Sequence, residues 1–331
     1  MKLDDLHILP KFSDGWSYLY VEHCRVEREQ NAIAIYDTDG MIPVPCANLA
    51  LLMLGPGTSI SHAAITVLAD HGCLIIWCGE QGVRFYATGM GETRNAARLL
   101  HQAFMWSHEN LRFEVVRRLY AMRFTETLPS NLSLSQIRGL EGRRVRLAYD
   151  KAARASGIPW KGRQYDRHHW THSDPVNRAL STANSCLYGL CHSAIVSSGF
   201  SPAIGFIHTG KMLSFVYDIA DLYKTEITVP IAFQAAAQGD TNLERRVRIS
   251  CRDAFAESHL LARIIPDIQK ALAWQPSQNE NSPLDSDPAL PSHLWDPDLG
   301  AVQGGIQQPA TSPLPPTIPA PAPESHDGAN P

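Results

Sequence analysis

The chain has 331 residues, 44% of them hydrophobic, and sets 29 Lys and Arg against 33 Asp and Glu for a formal net charge of −4. That length implies more than one domain, and that composition supplies a real core. No apolar run nears the ~18 residues of a membrane span, and MKLDDLHILPKF meets acids at once with no apolar h-region, so no membrane anchor and no signal peptide are expected and the chain reads as cytoplasmic.

The charge is unevenly divided. From Pro276 onward there is no Lys or Arg but seven acids, which leaves residues 1–275 with 26 acids against all 29 cations, a mild basic excess. Seven cysteines occur without a CxxC pair, and Cys73/Cys78 and Cys186/Cys191 are spaced for neither zinc nor redox work. They read as reduced, mostly buried thiols.

Residues 15–90 carry strand signals. SYLYVEHCRVERE reads as one extended run. AIAIYDT meets Asp39-Gly40 before MIPVP, which predicts a β-hairpin. ANLALLML is a continuous apolar strand, SHAAITVLADHG a short helix from near Ser61 to near Gly72, and CLIIWCG and GVRFYATG two strands joined at Glu80-Gln81. After GMGET the period becomes helical. TRNAARLLHQAFMWSHE, LRFEVVRRLYAMRFT, SLSQIRGLEGRRVRLAYDKAARASG, PVNRALSTANSCLYGLCHSAIVSSG, SFVYDIADLYK and LERRVRISCRDAFAESHLLARIIPDIQKALAW each read as one helix. Caps are expected at Ser133 or Ser135 and at Asp174 before Pro175, with stops at Gly157 and Gly199. The expected fold is therefore α+β: a small β domain over residues 1–92, an all-helical domain over 93–275, and a tail over 276–331. The tail holds thirteen of the 23 prolines and reads as disordered. Its one apolar patch, His293-Leu294-Trp295, is a candidate docking element.

Two stretches carry chemistry. In AIGFIHTGKMLSFVYDIADLYK, residues 203–224, His208 sits on the turn entering a helix on which Asp218, Asp221 and Lys224 recur at i+3 spacing. In QIRGLEGRRVRLAYD, residues 136–150, Glu141 lies among Arg138, Arg143, Arg144 and Arg146. One reading makes these solvated faces, with Glu141 balancing its arginines. The other joins Glu141 to His208 and an aspartate in a site of oxygens plus one imidazole, which suits Mg²⁺ or Mn²⁺ better than structural zinc. Cations and rings interleave at Arg84, Arg112, Arg117, Arg118, Arg163, Tyr165, Trp170, Tyr188, Lys211, Lys224, Arg245, Arg246 and Arg248, a set that suits a nucleic-acid strand.

HAA at 62–64, GVRFYA at 82–87, QIRGLEGRRVR at 136–146, SCLYGL at 185–190 and PAIGFIHTGKMLSFVYDIADLYK at 202–224 together resemble, in order, the CRISPR-associated spacer integrase of type I-E systems. The resemblance runs from about residue 10 to 275 and leaves the tail uncovered. It implies an N-terminal β domain and a helical domain with a single metal site. The implied ligands are Glu141, His208 and Asp221, with Asp218 as ligand or essential neighbour. It also implies that Lys211, Lys224, Arg245 and Arg248 hold DNA near the site and that Arg84 contributes to DNA or dimer contacts; Arg112, Arg138, Arg163, Tyr165, Trp170, Tyr188 and Tyr217 complete the expected DNA-binding set. The implied assembly is a homodimer, two of which flank a dimer of the small second adaptation protein in a heterohexamer. The implied reaction is phosphodiester transesterification that inserts captured DNA into a CRISPR array for antiviral defence. A nuclease acting on branched DNA in repair and a catalytically silent DNA-binding scaffold are the competing expectations.

Overall fold

The computed structural model describes residues 18–46, 49–82, 84–89, 96–129, 131–163, 174–275, 293–297 and 300–303. Residues 1–288 form one compact unit and residues 289–331 a second.

The first unit begins with two four-stranded sheets. One has the order β1 (Tyr18–Val21), β5 (Leu51–Leu54), β7 (Leu74–Cys78) and β8 (Phe85–Gly89), parallel except for β8. The other has the order β4 (Met41–Val44), β3 (Ala32–Tyr36), β2 (Arg25–Glu29) and β6 (Ser59–Ile60). β3 and β4 are the expected hairpin. Asp37 Oδ1 accepts from the N–H groups of Asp39 and Gly40 at 2.8 and 3.0 Å, and Tyr36 pairs with Met41. The helix α1 (His62–Asp70) starts at Ser61, whose hydroxyl accepts from Ala64 N–H at 3.2 Å. The extended run expected over 17–29 is two strands, not one. His23 takes a left-handed φ of 52°, and that bend sends β1 and β2 into different sheets.

β5 and β7 are buried on both faces, and their side chains alternate between two cores. Leu52, Leu54 and Ile75 join the core shared with α1 and the second sheet, whereas Leu51, Met53, Leu74, Ile76 and Cys78 join the helical core. That helical region comprises α2 (Ala97–Ser107), α3 (Glu109–Ala121), α4 (Leu134–Ser156), α5 (Pro175–Ser197), α6 (Ser214–Ala220), α7 (Val229–Ala237), α8 (Leu243–Glu257) and α9 (Leu260–Leu272). α4 begins on a capping box, with Ser133 and Gln136 bonding reciprocally, and ends on Gly157 at φ 65°. α5 buries residues all round its circumference and packs against α6, α7, α8, α9 and the strands β7 and β8.

Three helical expectations need correction. The run over 243–274 is two helices. His259 is left-handed at φ 48°, and the Ser258 hydroxyl donates back to the Ala254 carbonyl at 2.6 Å, competing with continuation. α7 was not foreseen, because VPIAFQAAA is so evenly apolar that it shows no period. Between α6 and α7 the chain takes a wider π turn over Lys224–Thr228.

The seven cysteines are all buried and all outside disulfides. No helix among the described residues is long and apolar enough to cross a membrane. In the second unit, β9 (His293–Asp296) and β10 (Gly300–Gln303) pair as an antiparallel hairpin, with Leu294 opposite Val302. This hairpin lies within the tail expected to be disordered. Two short apolar runs flank the turn-forming Pro297, a local signal that averaging over a proline-rich tail hides. The rest of that tail lies outside the described residues.

One close approach joins sheet to helix. A Cβ on Gly189 of α5 would stand 2.5 Å from the Arg84 backbone nitrogen and 2.9 Å from its Cα, and Arg84 itself holds φ 89°. Gly189→Ala is expected to force α5 and β8 apart at a cost of about 1–3 kcal/mol. Urea unfolding checks it, and an unchanged midpoint would remove the constraint. Beside that seam His192 stacks on Phe85 with centroids 3.7 Å apart, and burial pushes the imidazole down from 6.5 to about 4. The folded chain therefore binds this proton less readily than the unfolded chain. Stability is intact above pH 6.5 and falls as pH drops through about 4. Between pH 7 and 4.5 wild type should lose about 2 kcal/mol more than His192→Phe, after discount for partial exposure, as read by urea unfolding at both pH values.

Candidate active site

The 200–213 loop, which leads into α6, is fixed from three sides. Gln102 of α2, with no exposed surface, donates to the carbonyls of Ser201 and Ile204 at 3.1 and 2.9 Å and accepts from Ser201 N–H at 2.8 Å. Gly205 is required by proximity, since a Cβ there would lie 2.3 Å from the His208 carbonyl oxygen and 2.7 Å from the Ser214 side chain. The Ser214 hydroxyl, buried at the start of α6, accepts from Lys211 N–H at 3.0 Å and donates to its carbonyl at 2.8 Å.

The third anchor is Asp218, which is fully buried. Its Oδ2 accepts from the N–H groups of Phe206 and Ile207 at 2.6 and 3.1 Å, and its Oδ1 from His208 N–H at 2.9 Å and His208 Nδ1 at 2.7 Å. A carboxylate only accepts, so Nδ1 carries a proton, and in the neutral ring the lone pair is then on Nε2. That Nε2 stands 4.0 Å from Asp221 Oδ2. Asp218 thus engages both of its oxygens in orienting His208 and shaping the loop.

Glu141 reaches the same place from α4, buried one turn after the exposed Arg138. Arg144 grips it with Nε on Oε2 at 2.7 Å and Nη2 on Oε1 at 3.0 Å, and turns Nη1 to the Thr225 hydroxyl at 2.7 Å. Arg123, from just beyond α3, sets Nη1 3.3 Å from Glu141 Oε1 and 3.5 Å from Asp221 Oδ2. On the far side of Asp221, Lys224 Nζ bonds Oδ1 at 2.6 Å and lies 4.8 Å from the centre of the Tyr188 ring. Burial works against the Lys224 charge, but Asp221 and Tyr188 outweigh it and hold the ammonium above its ordinary pKa. Tyr217 packs edge-on against both Tyr188 and His208, at 5.0 and 5.8 Å between centroids.

The structure therefore brings together Glu141, His208, Asp218, Asp221, Tyr188, Tyr217 and Lys224. Lys211 is exposed on the same loop. Other residues expected to contact DNA lie elsewhere. Arg163 bonds the Asn177 carbonyl, the Asn177 side chain and the Ser181 hydroxyl at 2.8, 3.0 and 2.7 Å, clasping the start of α5. Arg112 lies over the Trp106 ring at 5.0 Å, Arg84 is at the Gly189 seam, Arg248 faces Glu80 at 4.0 Å, and Arg245 is exposed on α8. Tyr165 and Trp170 lie outside the described residues.

Arg123 and Gln102 were missed. An arginine closing a helix and a glutamine within one are ordinarily solvated, so neither gives a signal. Two carboxylates and an imidazole lone pair are donors of the kind a divalent cation takes. With Arg123 between the carboxylates, no three His, Cys, Asp or Glu side chains among the described residues stand close enough to enclose an ion.

The family model described as CRISPR associated protein Cas1 matches residues 17–128 and 120–247. "CRISPR-associated endonuclease Cas1 2" of Thermus thermophilus is 54% identical over 302 residues, 91% of this chain and 93% of that protein. "CRISPR-associated endonuclease Cas1" of Escherichia coli is 42% identical over 287 residues, 86% of this chain and 94% of that one. The solved structure described as a TtCas1–DNA complex superposes with a TM-score of 0.75 at 56% identity, covering 80% of this chain and 99% of its own.

Asp218→Asn should leave at least one buried donor facing an amide N–H. A cost of about 3–5 kcal/mol is expected for breaking so buried a charged network. The readouts are thermal unfolding and the ¹⁵N shifts of His208. An unchanged Nδ1–H tautomer at unchanged stability would show that Asp218 does not orient the ring.

Proposed function

The chain belongs to the CRISPR-associated Cas1 family, and from that premise we propose that it is a metal-dependent DNA nuclease and integrase of type I-E CRISPR adaptation. The observation that carries this reading is the chain of contacts that links Glu141 through Arg123 to Asp221, and Asp221 to His208, with His208 held by Asp218. The nuclease comes from the names of the relatives and the DNA from the complex that one neighbour forms.

The donor set fits a divalent cation such as Mg²⁺ or Mn²⁺. Both carboxylates already stabilise positive charge between them, where Arg123 Nη1 stands, and the Nε2 lone pair faces the same side of Asp221. Glu141, His208 Nε2 and Asp221 would hold the ion, which when bound polarises a phosphoryl oxygen and favours a hydroxyl as nucleophile or leaving group. The chain's own residues do the rest. Asp218 keeps the His208 proton on Nδ1, so Nε2 remains a donor of electrons. Lys224, held charged beside Asp221, and Lys211 on the loop offer cations to the strand phosphates, while Tyr188 and Tyr217 offer ring faces for unpaired bases. In this reaction the 3′-hydroxyl of captured DNA attacks a repeat phosphate in line, and the displaced 3′-hydroxyl leaves, with no net loss of phosphodiester bonds. Positioning of the two strands is the chief work of the protein.

On the same reading the chain works as a homodimer, pairs of which flank a dimer of the small second adaptation protein in the cytoplasm. The hairpin of the second unit, with Trp295 81% and Leu294 56% exposed, is the segment that would hold that partner.

Strand transfer into a repeat-bearing plasmid, with the small partner and Mn²⁺ or Mg²⁺ present, tests the function. Glu141→Gln and His208→Ala should each lower the rate about 10²–10³-fold while leaving DNA affinity near wild type. Unchanged activity in both variants would overturn the site. Cleavage of branched DNA without joining would favour a repair nuclease, and DNA binding with neither activity a scaffold.

A further inference from the structure

Arg123 is a buried charge that the chemistry above does not use. Its side chain is 4% exposed. A guanidinium is a permanent cation that normally forks onto a carboxylate through two nitrogens. Arg144 does so on Glu141, with contacts at 2.7 and 3.0 Å. Arg123 does not. It reaches the site through Nη1 alone, at 3.3 Å from Glu141 and 3.5 Å from Asp221. Its Nε and Nη2 are buried with no hydrogen-bond partner among the described residues, and its flat face lies over the Tyr120 ring at 5.0 Å. Two long contacts and two orphaned donors hold it weakly for so buried a charge.

The charges around it are already matched. Three carboxylates, Asp218, Glu141 and Asp221, stand with three cations, Arg123, Arg144 and Lys224. A divalent ion added between Glu141 and Asp221 meets a guanidinium nitrogen occupying that space and repelling it. We propose that Arg123 is a resident cation standing in the metal position: it neutralises Glu141 and Asp221 in the metal-free chain and is displaced from between them when the ion enters. Arg123 is then a positioning residue that keeps the two carboxylates together while the site is empty and sets a threshold on metal uptake. The proposal rests on the metal reading given above.

Mn²⁺ binding to the full chain without DNA, followed by calorimetry and by the electron paramagnetic resonance of free Mn²⁺, is the test. Wild type is compared with Arg123→Met and with Arg123→Gln, the second keeping an amide donor should the first fail to fold. The folded variants are expected to bind Mn²⁺ about tenfold more tightly, the scale of one competing charge removed from a partly screened site. In chelator they should unfold at lower temperature than wild type, and added Mn²⁺ should restore more of that difference than it adds to wild type. Unchanged or weaker Mn²⁺ affinity in a folded variant overturns the proposal and makes Arg123 a structural support. Absence of Mn²⁺ binding in wild type and in both variants refutes the metal reading itself.

Discussion

Asp218 has no exposed surface, yet its carboxylate meets three backbone N–H groups and one imidazole. A buried carboxylate without partners costs several kcal/mol, so the fold must deliver those donors or abandon the residue. Delivering them dictates the path of the chain. The N–H groups of three successive residues, 206–208, must turn towards one side chain of α6, a curl that forms an anion-binding concavity. That curl brings the backbone against Ser214 so closely that residue 205 cannot carry a Cβ. It also requires the loop to be anchored upstream, which the buried amide of Gln102 does. The orientation of His208 is then a by-product of satisfying one charge, and it does not depend on a bound ion to hold the ring in place.

The remaining charges follow the same logic. Lys224 is partly buried and would lose its proton more easily on that ground alone; the bond to Asp221 reverses the balance. Glu141 is held in its buried position by the two-nitrogen grip of Arg144. Each ionised group is thus made tolerable by a partner of opposite sign, and the site is a closed salt network before any ligand arrives. Opening such a network is favourable only for a ligand that brings charge of its own, as a divalent ion and a phosphodiester both do. This selects against neutral molecules without any steric barrier.

Much of this was legible in the sequence, and the parts that were not share a cause. The hairpin at Asp39-Gly40, the cap at Ser133 and the stop at Gly157 are local devices, and each is found where local chemistry puts it. The i+3 spacing of Asp218, Asp221 and Lys224 with His208 upstream marked a candidate cluster because all four come from one continuous stretch, and Glu141 was traceable through its unusual company of arginines. Arg123 and Gln102 act only across the fold, on partners far away in sequence, so nothing beside them distinguishes them from surface residues. α7 failed for the opposite reason: a segment buried on every side has no polar face to set a period. The breaks at His23 and His259 turn on single left-handed residues, a conformation that neither side chain advertises.

The two halves of the first unit meet on the helix that carries part of the site. Tyr188, which lies under Lys224 and against Tyr217, and Gly189, which abuts the Arg84 backbone, are successive residues of α5. Successive residues on a helix point about 100° apart, so one turn addresses the site in one direction and β8 in another. Close-packed interiors pass on small displacements rather than absorb them. α5 is buried along most of its length and cannot yield locally. A shift of β8 at Arg84 must therefore move the helix as a body, and Tyr188 with it. The β half, which supplies none of the candidate ligands, thereby sets the position of an aromatic ring at the edge of the site.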